Sequence, residues 1–240
     1  MLNLNKISAI ALIVAVMFAA MPLALLSTQS DIVQITHLIT LGNANPEATT
    51  KAKPAPTSAD YKLSINRGKT DIPVTLTLYT TNDDSLSAEF VADAITLAAQ
   101  EWDKYTSANL LSNYETPTVA GKSVAAVTLN GENAVFFGDY SQDGVIAVAS
   151  YWYSRATREI VECDIMFDID FQWGDAKINP SLMDLQNIAT HELGHFFNLA
   201  DIYDDSKDYL TMFGYSGEGD TEKRSLAAGD IAGIRKVFGV

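Results

Sequence analysis

Between residues 72 and 79 the sequence IPVTLTLY alternates and is rich in β-branched side chains, which predicts a strand. TNDDS follows with turn and N-cap residues. From 87 to about 106, Phe90, Val91, Ala94, Ile95, Ala98 and Trp102 recur every three or four residues, one apolar stripe on an amphipathic helix. SVAAVTLN, AVFFG, VIAVASYWY and IVECDIMFDIDFQW read as further strands separated by NG, SQDG and SRATRE turns, the last two as a hairpin. NPSLMDLQNIATHELGHFFNL opens with the start signals Asn179, Pro180 and Ser181 and continues as a second helix. Leu226, Ile231, Ile234 and Val237 in SLAAGDIAGIRKVFG give a third. No internal repeat interrupts this order.

Upstream of these elements the pattern changes. Lys6 precedes an apolar run over 7–26 broken only by Ser8 and Pro22, which predicts a signal peptide or an uncleaved N-terminal anchor over 1–30. Residues 31–70 join a short apolar run, IVQITHLITL, to NPEATTKAKPAPTSAD, a stretch without periodicity, and read as a pro-segment or linker. A catalytic-size domain over 71–240 remains. Its partners are narrowed by charge: 30 acidic against 16 basic residues give a net charge of −14, a field that repels nucleic-acid phosphates and anionic headgroups. The single cysteine, Cys163, allows no intrachain disulfide and reads as a small apolar strand residue.

Chemistry concentrates in THELGHFFNLAD, which holds two of the three histidines. Side chains four apart on a helix lie about 40° apart and one turn along, close enough to grip one ion. His191 and His195 have that spacing. Neutral imidazoles suit zinc, and a catalytic zinc takes three protein ligands and keeps one position open. Glu192, beside the first ligand, is placed to take a proton from water rather than to coordinate. The remaining histidine, His37, falls in the pro-segment, so Asp201 is the stronger candidate for third ligand. It lies six residues beyond His195, which requires the chain to turn back, and Asn198 is the expected reversal point because asparagine readily enters the left-handed region.

With HELGHFFNLAD, the chain resembles the metzincin clan of zinc endopeptidases, and within it the matrixin-type (peptidase M10) prokaryotic enzymes, here with Asp as third zinc ligand. The resemblance runs over about 72–239. It implies an α+β metzincin-like catalytic domain: a twisted, mostly parallel five-stranded sheet with an antiparallel edge strand, a backing helix, a zinc helix, a Met-turn and a C-terminal helix. It places the metal on His191, His195 and Asp201, the general base on Glu192 and the Met-turn methionine at Met212 in LTMFGY. Two positions depart from the clan's pattern, Asn198 for glycine and Asp201 for histidine. The pro-segment also lacks the cysteine with which many matrixins block their zinc.

The resemblance further implies a protein or peptide substrate, added as a strand along the edge strand at 145–153, and a secreted zinc metalloendopeptidase. The protein is expected to be a monomer with no nucleic-acid partner, meeting a membrane only through its N-terminal segment. Tyr215, three residues after Met212, is a candidate for holding an oxyanion. Structural calcium on Asp139, Asp143 or Asp168 competes with a reading of those acids as a solvated loop. A non-catalytic exported metal-binding or adhesion module on the same fold is the alternative, and a narrow processing enzyme with one partner protein is another.

Overall fold

The computed structural model describes residues 31–42, 60–112, 118–120 and 127–240. The signal-peptide or anchor expectation for 1–30 and the first half of SVAAVTLN, 123–126, lie outside the described residues. Ile32–Val240 form one unit. In chain order its elements are β1 (Ile32–Leu41), β2 (Lys69–Thr70), β3 (Leu76–Tyr79), α1 (Ala88–Asp103), β4 (Thr118–Ala120), β5 (Asn133–Gly138), β6 (Val145–Ser154), β7 (Glu159–Asp168), β8 (Trp173–Gly174), β9 (Met183–Asp184), α2 (Leu185–Phe196), β10 (Tyr215–Ser216) and α3 (Ala228–Phe238).

The main sheet runs β10-β1-β6-β7-β5-β3-β4, with β2 beside β7. Strands β3, β4, β5 and β7 are parallel, although β4 falls at Thr118–Ala120 rather than in SVAAVTLN, and the one reversed strand among these five is β6, antiparallel to β7. That strand is not the edge. β1, which the sequence places in a pro-segment or linker, pairs antiparallel with β6 from Ile32 opposite Ser154 to Thr40 opposite Val145. Its far end pairs parallel with β10, Thr40 opposite Tyr215 and Leu41 opposite Ser216. The reason lies in its alternation: Ile35 and Ile39 pack with the core on one face and Leu38 with a smaller apolar cluster on the other. The strand thereby covers a row of β6 backbone groups that an edge would leave open.

Two expected boundaries move. The second helix starts not at Asn179–Ser181 but at Leu185, where Asp184 accepts the Asn187 amide at 2.8 Å as N-cap. The 127–130 part of SVAAVTLN is not a strand: Thr128 N donates to Asp164 and Asn130 N to Glu162, so carboxylates on β7 take amides that a neighbouring strand would need. IVECDIMFDIDFQW likewise ends as a strand at Asp168, whose carboxylate accepts the Asp170 amide at 2.9 Å.

α1 and α2 pack together, and this contact positions the site. Ser87 caps α1 by accepting the Phe90 amide, and the stripe read from the sequence is buried at Val91, Ala94, Ile95, Ala98 and Trp102. Trp102 donates from Nε1 to the Thr190 carbonyl at 2.9 Å, fixing the turn of α2 that precedes His191. The start of α2 is anchored by charge. The Arg224 guanidinium reaches the Asp184 carboxylate at 2.7 Å and that of Asp175 at 2.6 Å, so the buried Asp184 is both cap and ion-pair partner.

Candidate metal centre

α2 ends at Phe196, and the chain reverses at Asn198, whose φ of 70° lies in the left-handed region. The side chain explains why asparagine rather than glycine stands there. Asn198 Oδ1 accepts the Ile65 amide at 2.8 Å, and Nδ2 donates to the carbonyls of Ile65 at 3.0 Å and Gly68 at 2.8 Å. A glycine would free the turn but release the 64–68 segment. Past the reversal, Ala200 N donates to the Lys62 carbonyl and Ile202 N to the Met212 carbonyl, so Asp201 is held between two fixed neighbours.

These contacts bring three ligand atoms together. His191 Nε2 and His195 Nε2 stand 3.2 Å apart, and Asp201 Oδ1 lies 3.1 Å from the first and 3.3 Å from the second. The other ring nitrogens are committed: His191 Nδ1 donates to the Thr211 carbonyl at 2.7 Å and His195 Nδ1 to the Leu199 carbonyl at 2.8 Å. Each neutral imidazole therefore turns a lone pair, not a proton, toward the centre. Two lone pairs and a carboxylate oxygen repel at that range unless a cation lies among them. Tetrahedral ligands at about 2.05 Å from zinc are separated by about 3.3 Å, which matches the observed triangle. Asp201 Oδ1, buried without a hydrogen-bond donor, is a further sign that the set is built for an ion.

Electrostatics agree. Burial pushes the Asp201 carboxyl up, but the histidines gathered around it outweigh burial and hold it well below the carboxylate range. Glu192 behaves oppositely: burial, then the Asp201 charge, push its carboxyl well above the usual range. It is fully buried, and neither carboxylate oxygen has a hydrogen-bond partner among the described residues. A divalent cation among the ligand atoms would offset that penalty.

Met212 sits under this arrangement. A β-carbon built on Gly194 would come within 2.2 Å of Met212 Sδ and 2.9 Å of Trp102, so glycine between the two histidines is what lets the methionine reach the helix. The Asp230 carboxylate on α3 accepts the amides of Thr211 at 2.9 Å and Met212 at 3.1 Å, which ties the C-terminal helix to the turn below the site. Gly194→Ala is expected to cost about 1–3 kcal/mol through overpacking, read as a lower thermal midpoint, and to weaken zinc retention because it moves the turn whose Thr211 carbonyl orients His191. An unchanged midpoint and zinc content would remove Met212 from the architecture of the site.

The sequence reading misses two residues here. His37, set aside with the pro-segment, lies with its ring stacked on His195 at 4.0 Å between centroids, and its Nδ1 donates to Asp201 Oδ2 at 2.8 Å. Among the described residues, His37, His195 and Asp201 form a group that could hold a metal. Tyr203 is the other: half exposed, it lies close enough to Asp201 that partial burial and then the Asp201 charge push its phenol up to about 12. Tyr215, the candidate from spacing, is in β10 with its ring packed edge-on against Tyr203 and Phe213. Of the three acids considered for calcium, Asp139 and Asp168 lie together and are joined by Asp170 rather than Asp143.

Comparison with known proteins places this geometry in context. The family description Peptidase M10, matrixin, matches residues 68–239. Metalloendoproteinase 1 of Glycine max is 38% identical over 79 residues, which is 31% of this chain and 25% of that protein. The chain thus spans about a quarter of the length of that curated relative.

Proposed function

The chain belongs to the matrixin family, and from that premise we propose that it is an exported zinc-dependent endopeptidase in which His191, His195 and Asp201 hold the ion and Glu192 is the general base. The observation that carries the reading is the triangle of Nε2, Nε2 and Oδ1 atoms at 3.1–3.3 Å, with both imidazole protons spent on backbone carbonyls. Zinc bound there supplies a Lewis acid that polarises a peptide carbonyl and acidifies water. Glu192 accepts the proton of the attacking water at its carboxylate and returns it to the leaving amine. Its burial keeps the carboxylate poorly solvated and therefore basic. Residues 1–30 direct export as a signal peptide or N-terminal anchor, and 31–70 form a pro-segment or linker that contributes β1 to the sheet.

Casein or gelatin digestion with and without a chelator tests the proposal. The expected result is hydrolysis that stops on chelation and returns with stoichiometric zinc. Zinc binding without hydrolysis of any peptide library would instead favour a non-catalytic module on the same fold.

A further inference from the structure

We propose that the cavity between β10 and the turn at 203–209 is a cage for one organic cation, the guanidinium or ammonium of a basic side chain in a peptide, and that it biases hydrolysis toward basic substrates. The bias rests on the endopeptidase reading; the cage does not. The cavity has a volume of about 530 Å³ and is lined by Leu41 and Gly42 at the end of β1, Asp205 and Asp208 on the turn, and Phe213 and Tyr215 after the Met-turn. That size falls within the range of small-ligand sites, about 300–1,000 Å³. Its walls include β1, so the cage is formed in the chain as it stands.

The lining carries charge of one sign. Of the four aspartates between 201 and 208, Asp201 belongs to the metal centre, and Asp204 caps the turn by accepting the Ser206 amide at 3.0 Å and its hydroxyl at 2.7 Å. Asp205 and Asp208 are exposed, and neither carboxylate has a hydrogen-bond or ion-pair partner among the described residues. The lysine of the turn does not neutralise them, because Lys207 is paired with Asp60 at 2.8 Å. Two carboxylates alone make a poor metal site, and these two join no third His, Cys, Asp or Glu ligand among the described residues. The aromatic wall selects an organic cation instead. Tyr215 packs edge-on against Tyr203 at 5.4 Å and against Phe213 at 5.5 Å between centroids, which holds the rings as a unit. Phe213 already takes a cation from the inside, the ammonium of the buried Lys223 at 5.3 Å from its centroid, and Tyr215 is left for a ligand. A guanidinium is drawn both by the carboxylates and by the ring, whereas calcium or magnesium takes oxygen ligands and gains nothing from the aromatic side. The cage also stands one ring from the chemistry, since Tyr203 is two residues past Asp201 and packs on Tyr215. An extended peptide advances about 3.3 Å per residue, so a side chain a few residues from the cleaved bond reaches it. The net charge of −14 attracts cationic peptides to the whole surface, but the cage distinguishes one position along them.

The test uses the full chain and matched peptides, acetylated and amidated, that carry either arginine or citrulline, which keeps the shape and lacks the charge. Asp205→Asn/Asp208→Asn empties the cage of charge. Asp83→Asn/Asp93→Asn makes the same change of net charge at two exposed positions near and on α1. Binding is read with a chelator present, from the amide shifts of residues 203–215 in NMR spectra. Hydrolysis is read with zinc, on fluorogenic versions in which arginine moves one position at a time along both sides of the cleaved bond. The arginine peptide should bind about tenfold tighter than the citrulline peptide, and one arginine position should raise kcat/KM by about the same factor. Both differences should vanish in Asp205→Asn/Asp208→Asn and persist in Asp83→Asn/Asp93→Asn. Equal binding of the two peptides by wild type overturns the cage, as does a difference that survives in the first variant or is lost equally in the second. A binding difference with hydrolysis indifferent to arginine at every position overturns the substrate bias. If the binding difference appears and no peptide is hydrolysed, the cage stands and the endopeptidase reading falls.

Discussion

Glu192→Gln is expected to abolish turnover while leaving zinc in place and making the metal-free protein more stable. The general-base contribution is about 10²–10⁴-fold in kcat, and Gln keeps the shape of the side chain while discarding the base. The stability change follows from burial. A carboxyl whose folded pKa lies above its ordinary 4.5 favours the folded state fully only while protonated, and that contribution declines as pH climbs from about 4.5 toward the folded value. Glutamine never ionises and escapes the loss. In the presence of a chelator the thermal midpoint of Glu192→Gln should therefore exceed that of wild type at pH 7, and the two should converge near pH 4. Removing an unpaired buried charge is worth about 1–3 kcal/mol, a few degrees at this chain length. Hydrolysis at the wild-type rate would end the proposed role of Glu192.

His191→Ala should be the most damaging single change, because it removes the ion and leaves a buried acceptor behind. An ion present at about a thousand times its dissociation constant stabilises a protein by about 4 kcal/mol, and chelation of wild type should lower the midpoint by the corresponding amount. The substitution adds a second loss: the Thr211 carbonyl, which accepts from His191 Nδ1 at 2.7 Å, is left without its donor in a buried turn, at about 1–3 kcal/mol. Melting curves should show chelated wild type between the zinc-loaded protein and His191→Ala, and zinc should rescue only the first. Rescue of His191→Ala by zinc at wild-type affinity would show that the ion is held elsewhere.

The parts of the site legible in the sequence are those decided by local geometry. Two histidines one helical turn apart converge whatever the rest of the fold does, and a residue willing to take positive φ at 198 was needed to bring Asp201 back; both follow from the helix and from asparagine's tolerance of the left-handed region. The stripe on α1 emerged for the same reason. What was not legible depends on distant partners. The hydrogen bond between His37 and Asp201 joins residues 164 positions apart, and nothing in IVQITHLITL distinguishes a linker's apolar run from a strand of the main sheet until β6 is there to pair with it. The boundary errors share this cause: Asn179 and Pro180 carry helix-start chemistry, but Asp184 holds the Arg224 partner that fixes the actual cap. SVAAVTLN alternates like a strand, yet in its 127–130 part the carboxylates of Asp164 and Glu162 claim the amides of Thr128 and Asn130. No spacing rule points to Tyr203; its place follows from the fold around Asp201.

Zinc K-edge absorption of the purified chain with one equivalent of metal addresses the ligand set itself. The predicted spectrum contains two imidazole nitrogens and carboxylate oxygen in a shell at about 2.0–2.1 Å, with loss of the carboxylate contribution in Asp201→Ala. A spectrum showing hexa-aqua zinc, a sulfur shell, or no change on removal of His195 and Asp201 would contradict the account.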